Sequence, residues 1–464
     1  MIAPAREAAY AVLRAVNGPP LPRKGASHPA SQADLPGALA RGREGLRDER
    51  DRALAGEIAT GTLRWQGAFD HVVAAFANRP LARLDPEVLD ILRLSMFQLL
   101  HLTRVPASAV VDDAVSLTKK AGKKSAAPLV NAILRRVSRE RAQLPLPPRN
   151  ATTRDAALDY LSVTLSHPRW LAARWLDRHG FDAAEQWCRF NNSAAALTLR
   201  ANRLRTTSEH LADGLRAHGV TTQPTRFAPD GLIVESGNPL RTPLASSGLF
   251  TVQDEASQLV PLMTGVTADE RVLDACASPG GKTTAMAAAM EDRGLIVAAD
   301  VRPRRVRLLA ETVRRSGASC VRIVQADASA PLPFRTEFDC VLVDAPCSGL
   351  GTLRRDPDIK WRSREEALAA NAGFQVRLLD TLSAAVRPGG RLVYATCSSE
   401  PDENEQVVER FLQAHPEFTP QRPVGLPPAV QPLVDDDGCL RTAPFRDGLE
   451  AFFAAALVKA RDLR

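Results

Sequence analysis

Cys347, in Asp344-Ala345-Pro346-Cys347-Ser348-Gly349, and Cys397, in Ala395-Thr396-Cys397-Ser398, each follow a short apolar run, Cys340 to Val343 and Leu392 to Tyr394. Such runs, bounded by turn residues, read as buried strands of a parallel sheet, and reacting groups in these sheets gather at the carboxyl ends of the strands. Two thiols there, one beside Asp344, suggest covalent attack on an electron-poor ring. Cysteine at its reference pKa of about 8.5 is only a few per cent thiolate at neutral pH, so this chemistry asks for a locally positive site. Cys188, Cys320, Cys340 and Cys439 lack this setting and read as small buried hydrophobes.

A second stretch points to a bound nucleoside. Val272-Leu273-Asp274 reads as a strand, Cys276-Ala277-Ser278-Pro279-Gly280-Gly281-Lys282 as a tight turn, and Thr283 onward as a helix. Glycines at this first crossover let backbone approach a ligand closely. The dinucleotide pattern G-x-G-x-x-G is absent. The triphosphate pattern fails because its first glycine would fall on Cys276, so an adenosine ligand without a phosphate chain fits better. Asp300 and Asp327 follow the next two strands, and Asp300 stands where a carboxylate grips ribose hydroxyls in this architecture.

The elements needed to position these groups are legible as alternation. Strands near 272–274, 296–299, 321–324, 341–343 and 392–394 alternate with helical runs at 283–290, 304–315, 365–386 and 403–413, the mark of an α/β Rossmann-like domain assigned to 244–464. Residues 149–243 read as a small mixed α/β segment with a helix near 169–179 and a strand near 197–202. Residues 1–148 read as an all-α domain, with Val88 to Leu102 as a central helix. Within it, a proline-rich insert at about 17–47 is expected to be disordered.

The chain has 464 residues, 45% hydrophobic, enough for several domain cores. No apolar stretch approaches the length of a membrane span, and the seven dispersed cysteines indicate neither a disulfide framework nor a metal site; the expectation is a soluble cytoplasmic protein. Of the net charge of +7, residues 1–150 carry 23 Lys and Arg against 14 Asp and Glu, which leaves the remainder slightly acidic. Lys119, Lys120, Lys123, Lys124, Arg135 and Arg136 lie in the densest basic stretch and suit a phosphate backbone. Arg354, Arg355, Lys360 and Arg362, just past the Cys347 loop, are expected to hold phosphates near the reacting groups.

Together with Ser166-His167-Pro168, Leu199-Arg200-Ala201-Asn202, Val252-Gln253-Asp254 and Asp356-Pro357-Asp358-Ile359-Lys360-Trp361, these stretches make the chain resemble the S-adenosylmethionine-dependent RNA cytosine-5 methyltransferases, specifically the bacterial 16S rRNA type with a NusB-like N-terminal domain. The resemblance runs from Arg6 to Lys459 except for the insert. It implies Cys397 as nucleophile, Cys347 in product release, cofactor contacts from 276–282, Asp300, Asp327 and Asp344, and 16S rRNA as partner, with no obligate protein partner evident. Arg200 joins the expected RNA contacts. Ser278 stands where alanine is expected, and Ala451 where glycine is expected. Two alternatives stay open at this point: another RNA or DNA cytosine-5 methyltransferase, with Cys347 attacking in the DNA type, or a non-catalytic RNA-binding assembly factor.

Overall fold

The computed structural model describes residues 2–18, 33–332, 334 and 337–461. The chain divides into two compact units. The first comprises Met1–Ala194 with Leu353–Ser363, and the second Ala195–Thr352 with Arg364–Arg464.

The first unit is helical. Helices Pro4–Asn17, Glu49–Arg64, Gln66–Ala77, Pro86–His101, Ala107–Lys120 and Ala127–Arg139 pack around one apolar core. The helix Pro86–His101 buries Val88, Ile91, Leu92, Leu94 and Met96 almost completely, as expected of a central helix. Proline in the first turn starts several of these helices without losing a bond, because those amides lack intrahelical partners anyway.

The expected insert is shorter than its composition suggested. Leu35–Arg43 forms a helix, capped by Asp34, whose carboxylate accepts from Gly37 N at 2.9 Å. Leu35 and Ala38 enter the core of the unit. A capping aspartate followed by Pro36 is a helix-start signal that the abundance of proline around it obscured. Residues 19–32 of the insert lie outside the described residues.

The expected middle segment is split between the units: residues 149–194 belong to the first, and those from Ala195 onward to the second. There, β1 (Thr198–Ala201), β2 (Thr221–Pro224), β3 (Gly231–Ser236) and β4 (Phe250–Val252) form an antiparallel sheet in the order β2-β3-β1-β4. The helix Ser208–Ala217 closes its small core through Leu211 and Leu215.

The second unit also holds a large sheet. Its strands are β5 (Arg271–Asp274), β6 (Leu295–Asp300), β7 (Val321–Gln325), β8 (Phe338–Asp344), β9 (Val386–Thr396), β10 (Phe418–Pro420), β11 (Cys439–Arg441) and β12 (Phe453–Lys459). The order is β10-β12-β9-β8-β5-β6-β7, with β11 also on β12. Strands β5 to β9 are parallel, and β12 extends the sheet antiparallel to β9. The expected strands are all present; the antiparallel extension was not foreseen. From β5 the chain winds outward to β6 and β7, then returns to β8 and β9 on the other side. The crevice at the carboxyl ends of β5 and β8 is therefore the topological switch point, where ligands of open α/β sheets bind.

Candidate active site

Strand register brings the two thiols together. Asp344, the last residue of β8, pairs with Ala395 of β9, two residues before Cys397. The loops that follow place Cys347 Sγ and Cys397 Sγ 3.4 Å apart, both half-buried. The Cys347 thiol is pushed well above its ordinary range by its hydrogen bond to Cys397, by burial and by the charge of Glu403. Gly351 braces this corner: its N–H donates to Cys397 O at 2.9 Å, and its carbonyl accepts from Ala451 N at 3.0 Å. A methyl group on Gly351 would fall 1.9 Å from Ala451 O and 2.7 Å from Cys397 O, so only glycine permits this approach.

Lys282 brings a positive charge to this end of the sheet. Its ammonium donates to Asp344 Oδ2 at 2.7 Å and lies 5.8 Å from the Phe452 ring centroid. Burial works against this charge, but Asp344, with a contribution from Cys397, more than offsets it, so the proton is held more tightly than by an ordinary lysine.

Carboxylates close the parallel strands as expected. Asp300 is nearly buried and accepts from Arg302 N at 3.1 Å. Asp327 is exposed, and the Ser329 hydroxyl and amide hold its carboxyl below the usual range. Asp274, at the end of β5, went unremarked in the sequence although it closes its strand just as Asp300 does. It is fully buried, takes a hydrogen bond from Thr283 Oγ1 at 2.6 Å, and is pushed up to about 7 by burial. Its Oδ1 has no partner. Burial, followed by Asp344, Asp274 and Asp300, raises the Cys276 thiol, so it is no competing nucleophile.

The loop between β5 and the helix Gly281–Ala289 is pinned by Ala277 N donating to Ala299 O at 2.9 Å and by the Ser278 hydroxyl donating to Arg305 O at 3.1 Å. Ser278 thus gains a bond where alanine was expected. Gly280 sits at φ 102°, and no side chain caps the helix that begins after it. The first amides of that helix face the switch point as donors for an anionic group.

The expected RNA contacts fare unevenly. In the first unit Lys119, Lys124 and Arg135 are exposed, whereas Lys120 is paired with Glu7, Lys123 with Asp85, and Arg136 with Glu140 while covering the Phe76 ring. Lys360 is 1% exposed: its ammonium donates to Asn192 Oδ1 at 2.8 Å and to Arg64 O and Ser166 O at 3.2 Å. It anchors the Leu353–Ser363 segment and presents no surface charge, a correction to the sequence reading. Trp361 Nε1 likewise donates to Leu63 O at 2.6 Å. Arg354 lies over the Phe190 ring and donates to Ala194 O, Arg355 is half-buried, and Arg362 pairs with Asp358. Arg200, in the second unit, is also buried: it donates to Gln253 Oε1, Thr284 Oγ1 and Gly281 O, tying the small sheet to the helix after the glycine turn. The sequence reading placed a helical run at 304–315 but missed its basic surface: Pro303–Ser316 exposes Arg304, Arg307, Arg314 and Arg315, a charge lost in the acidic balance of that half of the chain.

Comparison with known proteins agrees with this geometry. Residues 262–458 match the family model described as 16S rRNA methyltransferase RsmB/F, residues 3–139 the NusB family, and residues 167–241 the RsmF/B-like ferredoxin-like domain. A relative in Bacillus subtilis, named "Probable ribosomal RNA small subunit methyltransferase B", is 35% identical over 89% of this chain and 91% of its own length. The chain belongs to the RsmB/F family of 16S rRNA methyltransferases. The ribosomal RNA small subunit methyltransferase B of Pseudomonas syringae is 33% identical over 78% of this chain and 79% of its own. The crystal structure of PH0851 superposes with a TM-score of 0.78 at 26% identity, covering 99% of both chains. A methyltransferase homolog from Pyrococcus horikoshii covers 66% of this chain and all of its own, at 26% identity and TM-score 0.57.

The architecture is therefore a NusB helical domain, a ferredoxin-like middle domain and a Rossmann-like methyltransferase sheet, and the cofactor of the family is S-adenosylmethionine. The uncapped helix at the glycine turn and the carboxylates closing β5 and β6 suit the carboxylate and ribose ends of that molecule. Among the described residues no helix is long and apolar enough to cross a membrane, and no cluster of His, Cys, Asp and Glu could hold a metal ion.

Proposed function

We propose that the chain methylates carbon 5 of a cytosine in 16S rRNA, in the cytoplasm and before the small subunit is fully assembled, through a covalent adduct on Cys397. The observation that carries this reading is the pair of sulfurs 3.4 Å apart at the carboxyl ends of adjacent parallel strands. Cytosine carbon 5 is a weak nucleophile. Addition of the Cys397 thiolate to carbon 6 forms an S–C6 bond and turns carbon 5 into an enamine carbon. Bound S-adenosylmethionine supplies a sulfonium methyl group for that carbon. Loss of the carbon 5 proton to a base and departure of the Cys397 sulfur then restore the aromatic ring, with Cys347 assisting release. Asp344, which pairs with Lys282, would share a proton with ring nitrogen 3 and so stabilise the charge that builds there as carbon 6 is attacked.

The 276–282 turn, with Asp300, Asp327 and Asp344, would hold the cofactor. Both faces of a paired cytosine are covered, so the target enters unpaired or flipped out. Lys119, Lys124 and Arg135 of the NusB domain, joined by the arginines of Pro303–Ser316, supply the sequence-independent hold on phosphates.

The test is transfer of labelled methyl groups to 16S rRNA by wild type, Cys397→Ala and Cys347→Ala, each run on a denaturing gel. Loss of transfer in Cys397→Ala and a trapped protein–RNA adduct in Cys347→Ala are expected. The reverse pattern would exchange the two roles, and no transfer by wild type would leave only RNA binding.

A further inference from the structure

The two sulfur-bearing loops share one anchor. Glu403, fully buried, accepts through Oε1 from Ser348 N at 2.8 Å, Asn371 Nδ2 at 3.0 Å and Gln375 Nε2 at 3.3 Å. Its Oε2 accepts from the hydroxyls of both Ser348 and Ser398. Ser348 and Ser398 directly follow Cys347 and Cys397, so a single carboxylate fastens the residue after each thiol. The two serine oxygens lie 3.2 Å apart. Five donors converge on this group, which matches an ionised carboxylate, since only that form accepts throughout.

No lysine, arginine or histidine forms an ion pair with Glu403 among the described residues, so its charge is met by neutral dipoles alone. Removing such a group would loosen both loops at once. Its charge also acts on Cys347, whose neighbours are Cys397, Glu403 and the Tyr394 hydroxyl; that hydroxyl donates to Glu403 O. Cys397 instead interacts electrostatically with Lys282, whose ammonium pairs with Asp344.

Building on the two-cysteine reading above, we propose that Glu403 is a positioning residue for the reaction: it sets the distance between the two sulfurs and places a negative charge beside Cys347. The two thiols then become unequal before any substrate arrives. Cys347 keeps its proton and does not compete as a nucleophile.

Wild type, Glu403→Gln and Glu403→Asp separate position from charge. Each protein is treated with iodoacetamide from pH 6 to 10, the alkylation of Cys347 and Cys397 is read by mass spectrometry, and kcat and KM for 16S rRNA are measured. In Glu403→Gln, Cys347 is expected to become reactive about one pH unit lower, with kcat down at least tenfold and KM within about threefold of wild type. Glu403→Asp keeps the charge on a shorter arm, so it should restore the alkylation profile while kcat stays low. Alkylation and kcat both within twofold of wild type in Glu403→Gln would overturn the proposal. Thermal unfolding of each variant shows that it is folded, and alkylation needs neither RNA nor cofactor. A wild type without methyl transfer would therefore sink the functional reading, while the thiol profile would still decide the role of Glu403.

Discussion

Lys282, half-buried, and Lys360, fully buried, both stand in motif-rich stretches, and their surroundings could hardly differ more. Lys282 pairs with the carboxylate of Asp344, and its proton is held more tightly than usual. Lys360 faces three neutral oxygens, and burial pulls its proton affinity well below the ordinary value with no carboxylate to offset it. The first is a charge held beside the two-cysteine corner by a carboxylate, and on the proposed reading it serves the reaction. The second is a hydrogen-bonding pin inside the helical unit. A lysine in a motif thus announces importance, but only its partners say whether the charge is for use or for structure.

Lys282→Met tests the first half of this contrast. It removes the cation paired with Asp344 that also interacts electrostatically with Cys397, so methyl transfer is expected to fall at least ~100-fold, about 2.7 kcal/mol at 1.36 kcal/mol per decade, in single-turnover assays on folded protein. Transfer within threefold of wild type would place the required positive charge elsewhere.

Lys360→Met should show the opposite profile. Turnover per folded molecule stays within about threefold of wild type, while stability falls by roughly 2–4 kcal/mol as three oxygens lose their donor, read from urea unfolding. The sign with pH is fixed by the lowered folded value. Between that value and 10.5 the unfolded chain binds the proton that the folded one has released, so wild type gains stability from this site as pH rises through the window. The variant lacks that gain. A stable Lys360→Met that no longer methylates would move Lys360 back among the functional residues.

The smallest expected effect comes from Asp274, a buried acid with a hydroxyl partner and no cation in contact. Its folded value near 7 lies above the ordinary 3.8, so its contribution to stability is present at low pH and is lost as pH rises through about 4 to 7. Asp274→Asn should flatten that slope and be the more stable protein at pH 8, by urea unfolding at pH 5 and pH 8 without cofactor. An unchanged slope would show that Asp274 is ionised in the folded chain.

The location of the candidate site was legible in the sequence because it depends on residue type at strand ends. Cys347, Cys397, the glycine turn and Asp300 each announce themselves by standing just past an apolar run. The parallel strands were equally plain from alternation. The features that escaped are those decided by distant partners. Lys360 and Arg200 look like surface cations until residues far along the chain close over them, and Glu403, carrying no reactive group, looks like any acid near a helix start. The helix at Leu35–Arg43 was hidden because abundant proline was equated with disorder and its aspartate cap was overlooked. The antiparallel strands β10 to β12 are short or set among turn residues, too weak a signal to read alone.

The excursion of Leu353–Ser363 into the helical unit has a consequence for synthesis. The carbonyl oxygens that Lys360 satisfies belong to Arg64 and Ser166, yet their donor leaves the ribosome only after the small sheet and the first four strands of the large one have been made. At about 5–20 residues per second, the nascent helical unit waits on the order of ten seconds or longer with that cavity open. Through that interval it is a partly finished domain exposed to the cell, and its completion is timed by the emergence of the loop that comes after Cys347.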